Sequence, residues 1–265
     1  MRPPRKMLSY ATKTRQVALS VRAQAVMMMA SESGRSFVMD SKRFTLLTAL
    51  LLFTCLLGPA QLPWAQEAAA QPAQQRKTST PYTGDLSIFD SPGRDERLHI
   101  NRVMDILSIA PGKTVADIGA GSGWFTVRAA KRVTQTGTVY AVDINPEAVR
   151  SIERRVQQEH LRNVKTVLNR ADDPGLPPNS IDAVLLLKTY HEVANPVALL
   201  RNLRTSLKAT ARVGVIDRNG NGEDHGVQKE VVLREAEQAG YRLLEEHDDM
   251  VKADKMDYFL VFEAK

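Results

Sequence analysis

Three glycines at every second position, Gly119, Gly121 and Gly123, follow an acid, Asp117, near the end of the short apolar run Val115–Ile118. Without Cβ atoms such a turn lets a ligand lie directly on backbone, and the helix start behind it offers free N–H donors. A bound dinucleotide would require a further glycine three residues after the second, where helix packs closely on strand. That place is held by Trp124, and an indole cannot occupy a position chosen for its lack of a side chain. The turn therefore suits a ligand without a pyrophosphate, with Asp117 placed to meet positive charge. The glycines alone also fit a plain strand-to-helix turn.

Three further acidic or polar clusters recur at strand-like ends. Thr138–Ile144 is a β-rich run ending near Asp143, 20 residues beyond Gly123, where a second parallel strand delivers a ribose-binding carboxylate. Asn145-Pro146-Glu147 reads as a helix start with proline in the first turn; Asp143 would cap that helix or face a crevice, and both readings hold if Asn145 is the cap. Val164–Asn169 precedes Asp172 and Asp173. An acid there suits an adenine amino group, and a solvated turn ahead of Pro174-Gly175 explains it equally. Ile181–Leu187 precedes Lys188-Thr189-Tyr190-His191-Glu192. His191 has the residue type of a general base near neutral pH. The Tyr190 ring would orient an acceptor or face a cation, and Glu192 would hold the His191 ring or cap the next helix. A strand-end structural histidine and a core tyrosine are the plainer readings. Asp217, Arg218 and the Asn219–Gly226 loop are further candidates for a pocket wall.

Taken in order, VADIGAGSG, VYAVDINPEAV, NRADD and IDAVLLLKTYHEV resemble the motifs of the class I S-adenosylmethionine-dependent methyltransferases over about residues 94–265. The stretch Thr189–Val193 is similar to a bacterial subgroup of methyltransferases, many with export signals. The resemblance implies S-adenosylmethionine as cofactor, with Asp117, Gly119, Gly121, Gly123, Asp143 and Asp172 around it and a small-molecule acceptor beside Tyr190 and His191. It also implies a Rossmann-like, seven-stranded, mostly parallel sheet of order 3-2-1-4-5-7-6. One departure stands out: the family's usual Pro-Gly-Gly turn before the fifth strand is replaced by Leu207-Lys-Ala-Thr-Ala211. Two other readings stay open, a binding protein of this fold without turnover and a nicotinamide-dependent oxidoreductase, the latter opposed by Trp124.

The elements that would position these residues alternate, which predicts an α/β domain with helices on both faces of a parallel sheet. Ile100, Val103, Met104 and Leu107 fall at helical spacing. Strands are expected at 114–118, 138–143, 164–168, 181–187, 212–217, 241–246 and 257–263. Helices are expected from Gly123 to about Arg132, through Val149, Ile152 and Val156, through Leu200, Leu203 and Leu207, and over 227–239. The lead-in 83–93 reads as structured, and 66 to about 82, rich in Ala, Gln and Pro, as a disordered linker.

Residues 44–57 form an apolar run behind Lys42 and Arg43, too short for a comfortable membrane span of ~20 residues. Residues 39–65 therefore read as a signal peptide, cleaved after Ala65, with export to the periplasm; a retained membrane anchor or a cytoplasmic location are the alternatives. Residues 1–38 lie upstream of that signal, which makes Met39 the expected true start. They hold seven Lys/Arg against Glu32 alone, and residues 39–65 add Lys42 and Arg43 against Asp40. Of the net +6, residues 66–265 thus carry −1. The basic balance is not a nucleic-acid footprint, and no nucleic-acid partner is expected. The single cysteine, Cys55, lies in the signal, which excludes thiolate catalysis and thiolate metal ligation in the exported domain; no metal spacing is evident among His99, His160, His225 and His247, and no metal is expected.

Overall fold

The computed structural model describes residues 76–265; the basic extension, the signal or anchor segment and the linker up to residue 75 lie outside the described residues. Seven strands form one sheet, β1 (Thr114–Ile118), β2 (Thr138–Asp143), β3 (Val164–Leu168), β4 (Ile181–Leu187), β5 (Leu207–Asp217), β6 (Tyr241–Glu246) and β7 (Tyr258–Ala264). Their order is 3-2-1-4-5-7-6, as expected, and only β7 runs antiparallel to its neighbours β5 and β6. The helices are α1 (Arg94–Arg97), α2 (Ile100–Ile106), α3 (Trp124–Val133), α4 (Pro146–Gln158), α5 (Pro196–Arg204), α6 (Lys229–Gln238) and α7 (Asp248–Val251). Among the described residues no helix is long and apolar enough to cross a membrane.

The central strand shows why a near-continuous apolar run was needed. Successive β4 side chains point to opposite faces. Val184 and Leu186 join a core with Leu199, Leu200 and Leu203 of α5, and Ala183 and Leu185 join a second core with Val103, Leu107 and Phe125. Both faces are thus covered, and the chain ends of β1 and β4, which diverge at the order reversal, are left to form a crevice.

Leu207 does not extend the helix of Leu200 and Leu203. The carbonyl of Asn202 accepts from both the N–H and the hydroxyl of Thr205, which terminates α5. Leu207 opens β5 instead, opposite Ile181, and the register then jumps to Arg212 opposite Ala183. The residues that replace the Pro-Gly-Gly turn are therefore a bulge within the strand. Lys208 in that bulge reaches Asp182 at 2.8 Å, which also takes Lys113 and the N–H of Thr114.

The expected linker ends earlier than Tyr82. Arg76 pairs with Glu235 at 3.0 Å and donates to the carbonyl of Tyr190, and Ser79 is buried, its hydroxyl donating to the carbonyl of Gly222. One arginine and one small hydroxyl carry this packing, which is why composition alone gives no sign of it.

Candidate functional site

A cavity of about 420 Å³ opens at the carboxyl ends of β1, β2, β3 and β4. Gly119 and Gly121 form its floor, with φ of +71° and +55°, a conformation that side chains with a Cβ rarely tolerate. At Gly119 space is also decisive: a Cβ there would lie 2.2 Å from Cγ2 of Thr189, which crosses over from the end of β4. Gly123 is not on the wall. It caps α3 at φ +75°, where a Cβ would press on Ile152 at 3.2 Å.

Asp117 and Asp143 both line the cavity and both are buried. Burial pushes the Asp117 carboxyl up to about 7, and the nearby Asp143 charge adds to this; Thr126, donating its hydroxyl at 2.6 Å, works against it. Asp143 accepts from the N–H groups of Gly121 at 2.9 Å and Asn145 at 2.8 Å, yet burial still holds its carboxyl above the ordinary range. Asn145 in turn accepts from the N–H of Glu147 and caps α4, so the helix start and the crevice-facing acid coexist.

Asp172 stands apart from the expected adenine end. It is exposed, and its carbonyl accepts from Asn202. The wall beyond β3 is formed by Asn169 and Ala171. Asn169 donates through Nδ2 to the carbonyl of Arg170, while its buried Oδ1 has no partner among the described residues. An orphaned acceptor in a cavity wall is an open place for a donor such as an exocyclic amino group.

The Lys188–Glu192 stretch divides in a way that its one-dimensional spacing concealed. Tyr190–Glu192 is a 3-10 turn, and three residues per turn put Thr189 and Glu192 on one side. Those two face the cavity; Tyr190 and His191 do not. Tyr190 is fully buried in the core, its hydroxyl donating to Glu235 at 2.9 Å, and Arg76 lies over its ring. It therefore neither orients an acceptor nor faces a sulfonium in this arrangement. His191 is equally buried, with Nδ1 2.9 Å from both oxygens of Asp217. Asp217, rather than Glu192, holds the imidazole. Glu192 and Lys188 are the ionisable groups on the β4 wall; burial raises the carboxyl of Glu192 above its usual range and lowers the ammonium of Lys188 below its own.

The remaining wall comes from the chain ahead of α1, the end of the expected linker and the lead-in together. Thr78–Tyr82, Leu86 and Phe89 cover the crevice, with Tyr82 and Phe89 edge to face at 5.5 Å. Trp124 lines it as well, with the guanidinium groups of Arg94 and Arg128 4.5 Å and 4.1 Å from its ring centre. Arg94 is buried and pairs outward with Asp254 at 3.3 Å. Sequence reasoning brought Lys188–Glu192 to the crevice but gave Glu192 the task of holding His191 or capping a helix, and it missed Asn169 and the covering aromatics. A helical or strand period marks neither a turn's facing side nor a covering loop.

Residues 115–210 match a family model described as a methyltransferase domain. Curated relatives include an aklanonic acid methyltransferase of Streptomyces sp., 33% identical over 32% of this chain and 38% of its own length. A ubiquinone/menaquinone biosynthesis C-methyltransferase of Hydrogenovibrio crunogenus is 30% identical over 46% of this chain and 48% of its own. The chain spans about half or less of the length of these relatives. A solved S-adenosylmethionine-dependent methyltransferase from Aquifex aeolicus covers 68% of this chain and 98% of its own at 24% identity, with a TM-score of 0.61. A structure described as the [4+2]-cyclase SpnF shares the fold at 17% identity, covering 71% of this chain and 86% of its own, with a TM-score of 0.54. The fold is thus that of the class I methyltransferases.

Proposed function

We propose that the domain is an S-adenosylmethionine-dependent methyltransferase acting on a small-molecule acceptor. One observation carries this reading: a single cavity at the strand ends gathers the carboxyls of Asp117, Asp143 and Glu192, all with raised affinity for a proton, and the orphaned Oδ1 of Asn169. Buried carboxyls of this kind favour a cationic group beside them, on a lining that also carries Arg94 and Lys188. The residues fit the group: Asn169 would accept from the adenine amino group, Asp143 from ribose hydroxyls, and Asp117 would meet the positive end beside Gly119.

When bound, S-adenosylmethionine supplies a methyl carbon on a good leaving group. Alignment and exclusion of water then dominate, and both fall to this chain. Thr189 on Gly119 fixes the distance between the β1 and β4 walls, and the Thr78–Tyr82 segment with Phe89 shields the crevice. Relatives named for aklanonic acid and quinones support a small organic acceptor. The fold by itself does not require methyl transfer, since a cyclase shares it. A domain that binds the cofactor without turnover is the second reading.

Incubation of the full chain with labelled S-adenosylmethionine and envelope or lysate extracts separates the two. Transfer of label with release of S-adenosylhomocysteine supports the enzyme; saturable binding without any product supports the second reading. The apolar run 44–57 behind Lys42 and Arg43 further supports export, as in the signal-bearing bacterial subgroup. Cell fractionation finding the domain only in the cytoplasm would contradict that part.

A further inference from the structure

Behind the β4 wall of the cavity, three potential ligands converge from two elements. His191 and Glu192 come from the 3-10 turn after β4, and His225 from the loop after β5. One ligand atom of each lies within 4.8 Å of the others. The two imidazoles meet edge to face at 5.8 Å between centroids, and His191 Nε2 is 3.8 Å from Oε1 of Glu192.

The hydrogen bonds around His191 determine what its Nε2 offers. Asp217 is fully buried and also accepts from the N–H groups of His191 at 3.2 Å and Arg218 at 2.9 Å. Acting as an acceptor on every side, it makes Nδ1 the protonated nitrogen. In the neutral imidazole Nε2 then offers a lone pair 3.8 Å from Oε1 of Glu192, and among the described residues it makes no hydrogen bond. A metal ion between these atoms would satisfy their lone pairs together, as a proton on Nε2 would for Glu192 alone. The carboxylate behind the far nitrogen is the arrangement that fixes the tautomer of metal-bound histidine and raises its basicity.

His225 is held for the purpose by its backbone rather than its side chain. It sits at φ +60°, a strained conformation outside glycine. Its N–H donates to the Ser79 hydroxyl at 2.9 Å, and its carbonyl accepts from Arg218 at 2.8 Å. The Gly222 N–H donates to the carbonyl of Gly226, closing the loop. His225 is exposed, which gives an ion a path in.

We propose that His191, Glu192 and His225 form a binding site for a divalent first-row transition ion of the zinc class. Two imidazoles and one carboxylate without thiolate suit such an ion, and three protein ligands leave a position open. Ligand atoms of a tetrahedral ion with bonds of about 2.0–2.1 Å lie roughly 3.3 Å apart, so the side chains close inward by about an ångström on binding. Glu192 also lines the large cavity, which places the ion at the wall opposite Asp143 and Asn169.

The test is titration of the chelator-stripped full chain with Co²⁺, read by visible absorption, and with Zn²⁺, read by calorimetry. The site predicts one saturable equivalent with tetrahedral Co²⁺ bands. His225→Ala, whose exposed side chain can be removed without disturbing the core, and Glu192→Gln each weaken binding at least tenfold. Asp217→Asn weakens it by about 10–100-fold through the tautomer, and His247→Ala, away from the cluster, leaves it unchanged. Absence of saturable binding, or binding insensitive to both His225→Ala and Glu192→Gln, overturns the site. S-adenosylhomocysteine binding to the same stripped sample is a separate readout, so failure of the metal site and failure of the cofactor reading are distinguishable.

Discussion

At the scale of single residues, Asp117 carries a cost of burial. Its folded carboxyl titrates at about 7, well above the ordinary value of about 3.9. Between these values the folded state keeps a proton that the unfolded chain has released. Stability from this group is therefore complete below about pH 4, falls as pH rises to about 7, and is flat beyond. Urea unfolding of the wild type and Asp117→Asn across that range tests this: the difference between them tilts toward the variant by on the order of a few kcal/mol at the alkaline end. A cationic cofactor reverses the balance. It favours the ionised form, so binding releases a proton below pH 7, affinity rises with pH and levels off above, and Asp117→Asn abolishes that dependence. At Gly119, Ala meets both the positive φ and Thr189. Gly119→Ala is expected to cost about 1–3 kcal/mol from backbone strain alone and to eliminate cofactor binding. Adding Thr189→Ala relieves the clash but not the strain, so thermal denaturation should show only partial recovery.

Among the elements, the 3-10 turn after β4 is the decisive one, because it sorts four chemically capable side chains onto two sides. Thr189 and Glu192 face the cavity, and Tyr190 and His191 face the protein. The β-strands and the glycine turn were legible in the sequence because apolar periodicity and the absence of Cβ are one-dimensional properties; β1 to β4 occupy the expected residues. The orientation of Tyr190 was not legible, since it depends on Glu235 of α6 and on Arg76, partners 45 and 114 residues away. The same distance hid the packing of 76–80. Glu235→Ala strands the Tyr190 hydroxyl and removes the carboxylate partner of Arg76, which keeps only its bonds to the carbonyls of Tyr190 and His191. It is expected to cost about 1–3 kcal/mol and to expose the Arg76–Lys77 segment. Limited trypsin digestion should then cut there several-fold faster than in the wild type; equal rates would show that Glu235 does not hold the segment.

For the whole molecule, sheet order and cavity placement follow one rule, that ligands gather where strand order reverses at the carboxyl edge. Asp117 and Gly119 reach that edge on β1, Asp143 on β2, Asn169 behind β3, and Thr189 with Glu192 behind β4. The claim that this crevice holds an adenosyl cofactor is tested most directly by calorimetric titration of S-adenosylhomocysteine into the full chain and into Asp143→Ala. One equivalent binding with micromolar affinity in the wild type, lost in the variant, is the predicted result. No binding to the folded wild type, or tight binding of NAD in its place, would contradict it.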